Sequence, residues 1–177
     1  MTVSERYEQV LKAAAQRLAS AQFARRGQTF RKKVRENVAI VEFQKSRDSR
    51  QDEILFTINL GVFNGRLADD THPPPARIGT GHAHLRQRIG MLEPERRDRW
   101  WRITAETDAD VLGAEVTGLV VERAVPYLEE HLPDDALIAL WASGQSPGLT
   151  EMQRVRYLDT LSAKLPPARA EPDLSLS

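Results

Sequence analysis

The chain has 177 residues, no cysteine, and 25 lysines and arginines set against 25 aspartates and glutamates. That length suits one domain with a sizeable apolar core, and the lack of cysteine excludes disulfides, thiolate nucleophiles and cysteine-ligated zinc. The balanced charge supplies no bulk field toward nucleic acid or a membrane surface, no apolar run reaches the length of a bilayer span, and the first residues lack an apolar signal core, so the expected location is cytoplasmic.

Residues 3–22 read as an amphipathic helix, with Val3, Tyr7, Val10, Leu11, Ala14, Leu18 and Ala21 at helical spacing. Thr2 and Glu5 form a capping box, and Gly27 stands where a helix-ending residue of positive φ is expected. The period then changes to two. Residues 28–34, 38–45 and 53–63 read as successive strands, joined by a turn at Glu36-Asn37 and a polar loop at Asp48 to Asp52. In the third strand Ile54, Phe56, Ile58, Leu60 and Val62 share the core face, and Leu55, Thr57, Asn59 and Gly61 the opposite one. Short connections favour an antiparallel meander. Residues 64–81, with Asn64-Gly65 and prolines at 73–75, form a loop long enough to be functional or mobile. Residues 82–90 fit a strand or a short helix, and Trp100 to Thr104 a further strand.

The remainder reads as helical. Thr107 and Asp110 offer a capping box, Leu112, Val116, Leu119, Val120 and Leu128 face inward, and Pro126 is expected to kink or divide this helix. Pro133-Asp134-Asp135 opens another helix carrying Leu137, Leu140 and Trp141. Ser146-Pro147 opens the last, with Met152, Val155, Leu158, Leu161 and Leu165 on its apolar side. The expectation is an α+β domain over residues 1–165: an N-terminal helix, an antiparallel sheet of four to five strands, then C-terminal helices, with a disordered tail at 166–177.

The order of several pieces resembles a bacterial family known as domain of unknown function 4304. These are Phe23 to Gly27 running into Phe30-Arg31, Val41-Glu42-Phe43-Gln44-Lys45-Ser46, Phe56-Thr57-Ile58-Asn59-Leu60-Gly61-Val62, Leu85-Arg86-Gln87-Arg88-Ile89-Gly90, and Trp100-Trp101. The likeness covers about residues 5–132 and leaves the helices at 133–165 outside. It implies the fold and brings no activity with it.

Candidate function lies in polar residues set inside sheet-forming runs, because an unpaired buried amide or guanidinium is costly. Gln44, Thr57 and Asn59, with Arg31 and Arg88, suit a carboxylate, a phosphate or a peptide backbone; the bland alternative is a polar solvent face with Arg31 paired to Glu42. Arg86 and Arg88 share a face if extended and can clamp an anion. Of Trp100-Trp101, one indole is expected in the core and one outside, where it can anchor an interface. His82 and His84 have strand spacing for a metal pair, with His72 or an acid as third ligand, but no spacing marks that third ligand. Two basic runs, Arg25 to Arg35 and Arg96 to Arg102, read as solvated faces. No phosphate loop, zinc-protease pair or nucleophile elbow occurs, and no cofactor is called for.

The leading expectation is a non-catalytic binding module that holds a protein partner or a small anionic ligand on the polar sheet face. The alternative is an enzyme acting on a phosphate-containing substrate, with Arg31, Arg86 and Arg88 stabilising charge and His82 or His84 as acid–base. Nucleic-acid binding through the basic runs and a tryptophan is the third reading, and the neutral net charge argues against it.

Overall fold

The computed structural model describes residues 1–166, so the expected tail, apart from Pro166, lies outside the described residues. Helix α1 (Val3–Ser20) starts on the expected capping box: the Thr2 hydroxyl accepts the Glu5 N–H at 3.2 Å, and the Glu5 carboxylate accepts the Thr2 N–H at 2.6 Å. Its buried stripe is Val3, Tyr7, Val10, Leu11, Ala14 and Leu18. The positive-φ residue that ends it is Gln22, with φ 67°. Gly27, expected in that role, instead turns the hairpin between β1 (Ala24–Arg26) and β2 (Thr29–Val34). Strand β1 leaves no signal in the sequence because three residues, two of them arginine, are too few to show alternation.

Strands β3 (Asn37–Lys45), β4 (Ile54–Phe63), β5 (Leu85–Arg88) and β6 (Trp101–Ile103) complete a six-stranded, wholly antiparallel sheet. The order is β1-β2-β3-β4-β5, and β6 pairs with the first residues of β4. The turn before β3 is Arg35-Glu36, with Arg35 at φ 54°, and Asn37 is already paired in the strand. The ambiguous 82–90 stretch resolves into three short pieces: a 3-10 turn (Thr80–His82), β5, and a second 3-10 turn (Ile89–Leu92).

The core face is the expected one. Phe30, Phe43, Phe56 and Trp101 form a row across four strands with centroid spacings of 5.6, 6.0 and 5.3 Å, the first pair tilted and the other two stacked. Tyr7 of α1 meets Phe56 edge-on at 5.2 Å. Each such fully buried ring contributes about 1.5–3 kcal/mol through lost apolar surface.

Helix α2 (Ala109–Leu119) runs through a π turn (Val120–Ala124) into α3 (Val125–His131). Pro126 therefore does not divide the helix; the wider turn before it, closed by the Val125 N–H donating to the Val120 carbonyl, takes up the ring that an α turn would clash with. The N-cap is Asp108, which accepts the N–H groups of Asp110 and Val111, rather than Thr107, whose hydroxyl accepts the Thr104 N–H. Helix α4 (Asp134–Ala142) begins as expected. Helix α5 (Glu151–Lys164) begins later than Ser146-Pro147: Thr150 is its cap, and Met152 and Val155 are exposed, 81% and 41%, rather than on the buried side. The burial load of α5 falls on Leu161, with Tyr157 and Leu158 partly covered.

Candidate functional site

Strand register places Arg31 of β2, Glu42 and Gln44 of β3, Thr57, Asn59 and Gly61 of β4, and Arg86 and Arg88 of β5 on the face opposite the aromatic stack. Half of that face is closed. The segment from 64 to 84 straps across it and buries Ile78 and Ala83 against Val38, Ile40 and Phe63. One Glu42 carboxylate oxygen accepts both the Thr80 N–H, at 2.8 Å, and the Thr80 hydroxyl, at 2.6 Å. The Arg31 Nε donates to the Ile78 carbonyl at 2.5 Å. Burial pulls the Arg31 guanidinium below its ordinary range, with the nearby Glu42 charge opposing. Arg31 thus holds the strap and does not face an open site. It is not paired to Glu42 either, since the two side chains grip different residues of the same segment.

Thr57 is also taken. It is fully buried, and its hydroxyl donates to the Arg99 carbonyl at 2.6 Å, tying the loop before β6 to β4.

The other half of the face is open. Gln44, Asn59, Arg86 and Arg88, with Thr80, Gly81 and Gly148, line a groove of about 420 Å³. The Asn59 amide donates to the Gln44 carbonyl oxygen at 2.5 Å. The Arg86 guanidinium is fixed by two backbone carbonyls, Nε to Ala83 at 3.1 Å and Nη2 to Gly81 at 2.6 Å. Arg88 pairs with Asp98 at 3.1 Å and lies over the Trp100 ring, 5.4 Å from its centroid. Trp100 is 40% exposed with its indole N–H on Asp98 at 3.0 Å, whereas Trp101 is buried and donates to Glu115 at 3.0 Å. Four of the sequence candidates therefore meet in one groove, with Trp100 beside it.

The outer edge of β5 is not free to pair with another strand. The Arg86 N–H reaches the Pro147 carbonyl at 3.4 Å, and Gly148 follows at φ 75°. A Cβ at Gly148 would stand 2.8 Å from the Arg86 Cβ, so glycine permits both the backbone turn and the close approach.

The histidines do not form the strand-spaced pair. A 3-10 turn ends at His82, which is exposed and whose Nδ1 accepts the Gly79 N–H. His84 is 2% exposed, and its Nδ1 accepts the Asn64 N–H at 3.0 Å. Neither lines the groove. Among the described residues, no group of three or more His, Asp or Glu side chains is placed to hold a metal.

Part of each basic run is held by carboxylates. Arg25 pairs with Glu8, Lys32 with Glu129, Arg99 with Glu93 and Glu115, and Arg102 with Glu53.

A larger cavity, about 730 Å³, lies between the β2–β3 turn and α4 and is lined by Lys32, Val34, Asn37, Arg66, Asp134 and Leu165 among others. Its polar groups are largely committed to one another. Asp134 accepts from the Asn37 amide at 2.9 Å, the Asn64 amide at 2.6 Å and the Arg66 Nε at 2.9 Å. In the sequence this network is indistinguishable from turn and helix-start chemistry, which Asn37, Asn64 and Asp134 satisfy equally well.

The family described as Domain of unknown function (DUF4304) matches residues 15–130, more than half of the chain. The chain belongs to this family. In this DUF4304 protein the matched span runs from within α1 almost to the end of α3, so it includes the sheet, the strap and every groove residue except Gly148. Helices α4 and α5 lie beyond it. The family description carries no activity. No curated protein and no solved structure matches the chain. Among the described residues, no helix is long and apolar enough to cross a membrane.

Proposed function

We propose that this protein is a binding module whose partner occupies the open half of the second sheet face. The observation that carries this reading is the groove lining: two arginines and a side-chain amide pair with no acidic residue, bordered by a half-exposed tryptophan. A face meant only to meet water has no need of an exposed indole with an arginine laid over it. Tryptophan and arginine are the residue types that dominate interface energetics when a partner excludes water from them. The Arg88–Asp98 pair is exposed, so it contributes little to folding and is readily exchanged for a partner's carboxylate.

The acid–base alternative draws no support from this geometry, because neither His82 nor His84 lines the groove. The nucleic-acid reading is disfavoured by the balanced net charge and by the pairing of Arg25, Lys32, Arg99 and Arg102 with carboxylates.

The test is the double substitution Gln44→Ala with Asn59→Ala. Both side chains are outside the core, so thermal unfolding should match wild type within the range usual for surface changes, about 0.5 kcal/mol. Partner recovery by affinity purification from the native cell should be lost. Unchanged recovery with the double variant would remove the groove from consideration.

A further inference from the structure

We infer that the groove recognises an extended peptide segment through its backbone and seats one acidic side chain of that segment on Arg86. This rests on the reading of the groove as a partner site and adds the chemistry of what it takes.

Arg86 carries the argument for the acid. It is half-buried and held rigid by the Gly81 and Ala83 carbonyls, which use Nε and Nη2 and leave Nη1 without a hydrogen-bond partner among the described residues. Among the described residues no carboxylate lies within salt-bridge distance of it, whereas Arg88 beside it has Asp98. Carbonyl oxygens orient a guanidinium without neutralising it. The groove therefore presents an uncompensated, immobilised cation, and the ordering cost of binding a carboxylate there is already met by the fold. A planar guanidinium with a free edge fits a carboxylate directionally.

The amide pair carries the argument for the peptide. The bond from Asn59 Nδ2 to Gln44 Oε1 uses one donor and one acceptor. It leaves the Gln44 NH2 as donor and the Asn59 Oδ1 as acceptor. These are the complements of a peptide C=O and N–H. A small anion would use only the donor and leave the acceptor facing it. Pro147 takes the outward N–H of Arg86 and Gly148 packs against the same residue, which disfavours strand addition at β5 and assigns backbone recognition to the side chains standing on the face. Trp100, next to Arg88, offers an apolar platform for a neighbouring residue of the segment.

A random peptide library displayed on phage, selected on the full chain, reads the proposal without knowledge of the natural partner. Wild type should enrich sequences with Asp or Glu at one fixed position, by about tenfold or more over the library frequency, as expected for one charge-assisted hydrogen bond pair. Arg86→Gln should abolish that enrichment. Because Arg86 also orders the turn at Gly81, Asn59→Asp is the second variant: it stands on the strand paired with β5, diagonal to Arg86, keeps an acceptor for the peptide N–H, and brings a negative charge that should likewise abolish the acidic preference. Enrichment without an acidic position, or an acidic preference that survives both variants, overturns the inference. Inorganic phosphate titrated alone supplies the other arm. If it shifts the Arg86 side-chain resonance in a ¹H–¹⁵N spectrum as strongly as a selected peptide does, the site is one for small anions and the peptide assignment falls. Loss of partner recovery in the double alanine variant, together with no acidic preference in the library, would leave the groove as the partner site and reject only the chemistry assigned here.

Discussion

His84 is the residue whose chemistry departs most from its ordinary behaviour. Its ring is packed between Phe63 and Tyr157, each 4.9 Å away between centroids, with His72 at 5.7 Å. With Nδ1 accepting from Asn64, the neutral ring carries its proton on Nε2. Burial pushes its pKa from 6.5 down to about 3; the charges of His72, Arg86 and Arg156 act in the same direction and Asp69 opposes. A folded pKa below the unfolded one means that the unfolded chain binds the extra proton between these two values. The stability tied to the neutral ring is therefore complete above pH 6.5 and is lost as pH falls toward 3. Urea unfolding across that range should show wild type losing about 1.4 kcal/mol per pH unit more than His84→Phe. Parallel pH profiles for the two proteins would contradict the assignment. The spacing of His82 and His84 was visible in the sequence. That the chain leaves a 3-10 turn at Ala83, sending one ring outward and the other into the fold, was not, because nothing local records Phe63, His72 and Tyr157, which pack around His84 from distant parts of the chain.

At the scale of elements, the strap from 64 to 84 decides which half of the polar face is open. It is held by Glu42, by Arg31 and by apolar contact with Gly61, whose missing side chain makes room for Ala83: a Cβ there would stand 2.7 Å from the Ala83 Cβ. Gly61→Ala should destabilise the fold by about 1–3 kcal/mol through overpacking, even though alanine is the better strand residue. Its thermal midpoint compared with wild type measures this, and an unchanged or raised midpoint would show that the strap gives way freely. Strands β3 and β4 were legible because their alternation runs for nine and ten residues. The face they share was legible too, in Gln44 and Asn59 with Arg88; that Arg86 joins them follows from β5 being extended, which the periodicity of 82–90 does not decide. The loss of Arg31 and Thr57 from that face was not, since their partners Ile78 and Arg99 are 47 and 42 residues away and are engaged through backbone carbonyls, which leave no mark on side-chain identity. Proline gave a mixed signal for the same reason: Pro126 marks a departure from regular helix, but whether the chain breaks or widens depends on what packs against it.

Over the whole molecule, the layers divide the work. One sheet face and helices α1 to α3 build most of the core, to which α4 and α5 add Leu137, Trp141 and Leu161. Helices α4 and α5 close the end of the sheet through Asp134, which gathers Asn37, Asn64 and Arg66, and through Tyr157 against His84. The strap covers half of the remaining face. What is left is a groove with fixed cations, a part-used amide pair and a tryptophan, and that is where the proposed partner binds. The most direct measurement replaces Trp100 by a photo-crosslinking phenylalanine derivative, which keeps an aromatic ring at the site and leaves Gln44, Asn59, Arg86 and Arg88 intact. Irradiation in the native cell should give a discrete adduct that disappears when Arg86→Gln is added and that is not formed from the same derivative at Lys33, an exposed position of β2 on the same face. Adducts that are equal from both positions, or that persist without Arg86, would contradict it.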